Sequence, residues 1–247
     1  MNFFSLFKRN LLYKFKSKIR IDKDNFENKS LDYLFNYYGS DKADFFRIGN
    51  REGHGYSIYY TKYLENLKNS KINILEIGSY AGSSAAAFVK YFNNSKVFCL
   101  DINISNFKYK SKNIQVYGLD IKNKYKLKST LDYIFKLNKI CNFDIIIDDG
   151  SHNLKDILIA FNFFYKYLNK KGYYVIEDFK HPNYYKYNRD LDHILVDELL
   201  NSIIKKKFFK SSIFSQTDQK HLFENIKEII IKKGKLSDSD ICFIKRY

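Results

Sequence analysis

At 247 residues the chain is long enough for one large domain with a substantial core, and too short for two full enzyme domains and a linker. With 45% apolar and 18% aromatic residues it is not a disordered chain, and its apolar runs are too short and too interrupted by charge to span a bilayer. A formal charge of +16 points to nucleic acid, an anionic membrane or an acidic substrate, but Lys, Asn, Ile, Tyr and Phe are all abundant, Trp is absent and Pro occurs once, so biased composition accounts for part of that charge.

Residues 1–20 carry six cations (Lys8, Arg9, Lys14, Lys16, Lys18, Arg20) and no acid, while Phe4, Phe7, Leu11, Phe15 and Ile19 recur at helical spacing. Cations interrupt any continuous apolar core and no small-residue cleavage site follows, so this is a basic amphipathic helix and not a signal peptide. Two placements fit it: in peripheral contact with an anionic membrane, or docked by its apolar stripe on the protein or on a second subunit. Residues 1–36 read as a helical extension and 37–247 as the main domain. The three cysteines, Cys99, Cys141 and Cys242, are far apart and form no CxxC pair, which argues against a disulfide framework or a zinc site and for a reducing cytoplasm.

Residues 21–70 read as mostly helical and polar around a loop-like island, YGSDKADFFRIGNREGHGY. Strands are expected at 71–77, 96–101, 113–120, 143–148 and 172–176, with helices at 83–92, 126–139 and 153–169 between them. An aromatic, basic loop (FKHPNYYKYNRD) then precedes a helix at about 191–206. Strands at 226–232 and 241–246 follow, joined by a turn too short for a crossover, so that pair is antiparallel. The expected fold is α/β and Rossmann-like: a seven-stranded, mainly parallel sheet with helices on both faces and a C-terminal antiparallel hairpin. Ligands of such a sheet sit beyond the carboxyl ends of its strands, and that is where the acidic strand endings fall.

The loop LEIGSYAGSS supplies Glu76, Gly78, Ser79, Gly82 and Ser83 in an acid-x-Gly-x-x-x-Gly spacing that differs from the dinucleotide fingerprint. Its glycines allow close backbone approach to a ligand, and the acid can accept from an amino group or a water. Asp101 ends the next strand, where a carboxylate can hold both hydroxyls of a ribose. Asp120 ends the third strand, as an acceptor for an adenine amino group or as a helix N-cap. Together they describe a site for S-adenosyl-L-methionine (SAM) more naturally than one for a dinucleotide.

The run FDIIIDDGSHNLKD sets Asp148, Asp149 and His152 at the end of the fourth strand, and VIEDF sets Glu177 and Asp178 at the end of the fifth. Asp149, Glu177 and Asp178 form a hard oxygen set suited to Mg²⁺ or another divalent cation. His152 is suited to take a proton from a substrate hydroxyl. Asp148 faces either the cofactor or the groups that orient His152 and the metal. Residues 39–42 and 54–56 read as a lid or as plain loop.

IIIDDGSH, VIEDF, LEIGSYAGSS, YGSDK and HGY together resemble the metal-dependent class I methyltransferases of the macrocin and mycinamicin sugar O-methyltransferase type, over about residue 37 to the C-terminus. The resemblance implies a SAM-dependent enzyme with Asp149, Glu177 and Asp178 on Mg²⁺ and His152 as base. It further implies a saccharide or other small-molecule acceptor, no specific nucleic-acid partner and a homo-oligomer. A tailoring role in bacterial capsule or lipopolysaccharide is expected. Two alternatives remain: methylation of a phosphate or phosphoramidate group of a capsule precursor, and RNA methylation or simple nucleic-acid binding.

Overall fold

The computed structural model describes residues 3–191 and 194–247. Seven strands build the main sheet: β1 (Lys71–Ile77), β2 (Asn94–Asp101), β3 (Ile114–Gly118), β4 (Phe143–Asp148), β5 (Leu168–Glu177), β6 (Ile226–Lys233) and β7 (Asp240–Arg246). Their order across the sheet is β6-β7-β5-β4-β1-β2-β3. β1 pairs in parallel with β2 and β4, and β4 with β5, while β7 is antiparallel to both β5 and β6. The expected mainly parallel sheet with an antiparallel hairpin is therefore present.

Unbroken apolar runs make these strands because both faces of the sheet are buried. In β1, Leu75 and Ile77 join one core while Ile72 and Ile74 join the other; in β4, Ile146 faces one side and Ile145 and Ile147 the other. Helices α1 (Phe3–Phe15), α2 (Leu31–Tyr38), α3 (Ser57–Leu64), α4 (Ser83–Tyr91), α5 (Lys124–Asn138), α6 (Leu154–Phe164), α7 (His181–Tyr184), α8 (Val196–Ile204) and α9 (Gln216–Asn225) complete the fold. The expected extension over 1–36 and domain over 37–247 meet inside α2, whose Leu31, Leu34 and Phe35 are buried in the core.

Several elements differ from the sequence reading. The helix expected over 153–169 ends earlier, and β5 starts at Leu168 instead of residue 172, because Tyr165–Tyr167 form a 3-10 turn. α9 was not expected from its polar sequence; Ser215 and Asp218 cap it reciprocally. The aromatic loop after β5 is partly helical, and its Tyr184 and Tyr185 hydroxyls donate to Asp240 and Asp238 at the β6–β7 hairpin.

The apolar stripe of α1 is not packed against its own chain at Phe7, Leu11 and Phe15, which are exposed among the described residues, and the helix is held through its other face. There Asn10 donates to the Gly118 carbonyl and Tyr13 packs edge-on against Phe107. Among the described residues no helix is long and apolar enough to cross a membrane.

Candidate active site

The sheet order reverses between β1 and β4, so the loops after these two strands diverge and leave a crevice at their carboxyl ends. A cleft of about 650 Å³ occupies it. Gly78, Ser79, Ser83, Asp101, Asp120, Asp149 and His152 line this cleft, which brings seven of the expected residues to one place.

Two loops meet at its base. Gly78 donates from its N–H to the Leu100 carbonyl of β2, and the Asp149 N–H donates to the Ile77 carbonyl, lacing the β4 loop to the end of β1. Gly78 has a φ of +85°, and an added Cβ would lie 1.9 Å from the Asp149 carbonyl oxygen, so only glycine fits. Asp101 accepts from the Tyr80 N–H at 2.7 Å and the Asn103 N–H at 2.5 Å. Each of its oxygens keeps a second lone pair for a ligand hydroxyl. Asp120 accepts from the Lys122 N–H at 3.0 Å, and the N-cap of α5 is Asn123, so the capping alternative for Asp120 does not hold.

Glu76, Gly82 and Asp148 do not line the cleft. Glu76 is fully buried beneath it and accepts from the Ser84 hydroxyl, while its Oε2 has no hydrogen-bond partner among the described residues. Burial pushes its pKa up to about 7, against the pull of Lys42 and Ser84. Gly82, with a φ of +77°, begins α4 against the ring of Phe107. Asp148 is buried with Oδ2 unpartnered among the described residues, and burial, with the charge of Asp149 next to it, holds its pKa well above the carboxylate range.

The expected metal trio is divided. One ligand atom each from Asp149, His152 and Asp178 lie within 4.8 Å of one another, whereas Glu177 stands outside this group. Both Glu177 oxygens are already engaged: Oε2 accepts from the Lys42 ammonium at 2.5 Å and Oε1 from the Tyr60 hydroxyl. Lys42 also donates to Asp149. Burial opposes its positive charge, but the attraction of Asp149 and Glu177 outweighs that and keeps its pKa well above the usual lysine value. Burial in turn pushes Asp149 and Glu177 upward, with Lys42 pulling both back.

On Asp178 the Tyr56 hydroxyl donates to Oδ1 at 2.5 Å, with His54 Nδ1 3.6 Å from the same oxygen. His152 Nε2 lies 3.7 Å from Asp149 Oδ1, and its ring stacks obliquely near that of His181. His152 (φ 56°) and Asp178 (φ 50°) both hold left-handed backbone conformations, as does Tyr80 on the cofactor side. Strain of this kind persists where the surroundings over-determine it, and here it borders the cleft from two strand ends.

Of the segments that read as a lid or plain loop, residues 39–42 line the cleft and residues 54–56 do not, and the Lys42 and Tyr56 side chains turn inward. They are buried supports under the acidic cluster, joined by Tyr60. The YGSDK and HGY motifs marked Lys42 and Tyr56; Tyr60 lies one helical turn beyond and carried no mark of its own.

The donor set fits a hard divalent cation. Asp149, Glu177 and Asp178 against the one ammonium of Lys42 leave a formal excess of two negative charges, which a divalent ion would neutralise. The other end of the cleft fits an adenosyl group with an amino acid tail. It offers a Gly-rich loop and a carboxylate with open lone pairs at Asp101.

Comparisons with known proteins bear on the fold. A protein of Acanthamoeba polyphaga mimivirus with no assigned role is 29% identical over 131 residues, 47% of this chain and 58% of that one. A Streptomyces olivaceus 8-demethyl-8-alpha-L-rhamnosyl tetracenomycin-C 2'-O-methyltransferase is 26% identical over 51% of this chain and 33% of its own length. The mycinamicin VI 2''-O-methyltransferase of Micromonospora griseorubida is also 26% identical, over 51% of this chain and 31% of its own. The methyltransferase MycE of the mycinamycin pathway, solved with Mg, S-adenosylhomocysteine (SAH) and mycinamycin VI, superposes with a TM-score of 0.67 at 20% identity, over 89% of this chain and 55% of that one.

Over about half of its length the chain is similar in sequence to sugar O-methyltransferases. Its fold is the class I methyltransferase fold of MycE. No protein-family model matches it. The chain spans between about a third and three fifths of the length of these curated relatives.

Proposed function

We propose that this protein is a SAM-dependent, divalent-cation-dependent O-methyltransferase that acts on a sugar hydroxyl. The observation that carries the reading is the convergence of Asp149, His152 and Asp178 at the edge of a cleft whose other wall is the Gly78 loop and Asp101. Oxygen and imidazole donors beside an adenosyl-shaped site fit methyl transfer to an oxygen better than hydride or phosphoryl transfer.

SAM supplies a methyl group on a positively charged sulfur, which is already a good leaving group, and a divalent cation supplies Lewis acidity toward the acceptor hydroxyl. What remains for the protein is alignment and proton removal. Asp101 would hold the ribose, and Gly78 and Ser79 admit the cofactor close to the backbone. Asp149 and Asp178 would hold the cation, with Glu177 as a third ligand where Lys42 yields one of its oxygens. Nε2 of His152 is the base that would accept the hydroxyl proton. Lys42 bridges Asp149 and Glu177 and favours their ionised forms against burial, and Tyr56 fixes the Asp178 carboxylate.

The sugar class rests on the tetracenomycin and mycinamicin relatives, which modify sugars of antibiotics. A role in surface polysaccharide rests on the sequence reading alone.

The test is methyl transfer from labelled SAM to a panel of free and nucleotide-linked sugars, with Mg²⁺ and with chelator. Transfer to one or more sugars that chelation stops, and that Asp149→Asn and His152→Asn each reduce by about a hundredfold or more, supports the reading. Methylation that persists in chelator overturns the metal role, and no SAM binding by calorimetry overturns the whole.

A further inference from the structure

α1 presents an apolar stripe that stands exposed among the described residues. Phe7, Leu11 and Phe15 are 58%, 43% and 82% exposed, and Ile19 beyond the helix is 57% exposed. Helical spacing places Phe7, Leu11 and Phe15 on one face, with exposed Lys8 and Lys14 on either side of it. The opposite face anchors the helix: Asn10 donates to the Gly118 carbonyl, Arg9 to the Ile102 carbonyl, and Lys16 to the Ser105 carbonyl. The helix is thus built into the fold with its apolar side turned outward.

We infer that this face of α1 adsorbs to an anionic lipid surface. A bare apolar stripe would suit several partners, but the charge selects among them. Residues 1–20 hold six cations and no acid, and the whole chain carries +16. Two copies meeting through this face would press like charges together, whereas an anionic bilayer attracts them before contact and then accepts the phenyl rings. Lys8 and Lys14 flank the stripe where long side chains reach back to lipid headgroups while the rings enter the acyl boundary.

The anchors give the adsorption a consequence for the cleft. Ile102 lines the cleft and is 39% exposed, and Arg9 bonds its carbonyl directly; Gly118 immediately precedes Leu119 and Asp120 on the same wall. A membrane bound by α1 therefore lies beside the cofactor end of the cleft.

The experiment is co-sedimentation of the full chain with vesicles of phosphatidylcholine alone and with vesicles containing equal parts phosphatidylcholine and phosphatidylglycerol. Binding to the mixed vesicles that exceeds binding to the neutral ones by about tenfold or more, and weakens with added salt, is the expected result. Phe7→Ser with Phe15→Ser, and separately Lys8→Glu with Lys14→Glu, should each cut that binding about tenfold or more while leaving the melting temperature unchanged, because these side chains are exposed. Equal binding by the double variants, or none by the parent chain, overturns the inference. So does a dimer in sedimentation equilibrium that Phe7→Ser with Phe15→Ser dissociates without any vesicle binding, which would assign the face to a second copy. Vesicle binding requires no methyl transfer, so this result and that of the sugar panel stand apart.

Discussion

The ammonium of Lys42 lies 2.5 Å from Oε2 of Glu177, although 135 residues separate them in the chain and both are buried. The same ammonium reaches Asp149, so one cation from the N-terminal part of the chain ties together the ends of β4 and β5. Removing one partner of a buried ion pair leaves the other charge uncompensated, which costs about 3–5 kcal/mol. Lys42→Met should therefore lower stability by that order and abolish methylation. Excess Mg²⁺ should raise the melting temperature of Lys42→Met more than that of the parent protein, since a divalent ion can take over the neutralising role. Equal Mg²⁺ shifts in thermal melts of the two proteins would separate Lys42 from the cation site.

Glu76 gives a dependence on pH with a defined sign. Its folded pKa of about 7 lies above the ordinary 4.5, so the folded chain holds this proton more tightly than the unfolded one. The stability it contributes is fully present below about pH 4.5 and is lost as pH rises to about 7, in an amount of about 3 kcal/mol. Glu76→Gln carries no proton to lose. In cofactor-free urea denaturation at pH 5 and at pH 8, the variant should lose less stability between the two conditions than the parent does. Identical losses would show that Glu76 titrates elsewhere.

Asp101 separates cofactor binding from folding. Asp101→Ala removes two acceptors for a ribose and also strands the N–H groups of Tyr80 and Asn103. Asp101→Asn keeps one carbonyl oxygen and should disturb the loop less. A hydrogen bond to a charged group contributes about 1.5–3 kcal/mol, so Asp101→Asn should weaken SAM binding by roughly ten- to a hundredfold in calorimetry, with a small change in melting temperature. Unchanged affinity would remove Asp101 from the cofactor site.

Much of this site is legible in the chain because its elements are local. β4 is an apolar run bounded by a polar start and an acidic end, and it forms at 143–148 as the pattern reads. The start of β5 was hidden because Asn169, Lys170 and Lys171 are polar, and pairing with the chain terminus decides that they are strand. α9 is polar in composition, though the Ser215 and Asp218 box was there to be read. The YGSDK motif marked Lys42, but its buried bridging role lay beyond reach for a different reason. An isolated lysine ordinarily marks surface, and only contacts more than a hundred residues distant bury it. The same holds for Glu177, whose engagement by Lys42 and Tyr60 no spacing rule encodes.

Gly78 joins the cofactor side to the metal side, so its substitution should affect both. An Ala there must hold a φ near +85° and must push back the Asp149 carbonyl, which a new Cβ would approach to 1.9 Å. The conformational strain alone costs about 1–2 kcal/mol, and the overlap with backbone adds to it. Moving the Asp149 main chain also shifts its carboxylate away from His152 and Asp178, so metal affinity should fall along with SAM affinity. Gly150 supplies the comparison. It lies in the same loop, but an added Cβ would come no closer than 3.2 Å, to Asp148 Oδ1. Gly78→Ala should lower the melting temperature and weaken both Mg²⁺ and SAM binding about tenfold or more, while Gly150→Ala should leave SAM binding within about threefold. If both variants bind Mg²⁺ like the parent chain, the two loops are not mechanically coupled through Gly78, and the acidic cluster is positioned by Lys42, Tyr56 and Tyr60 without it.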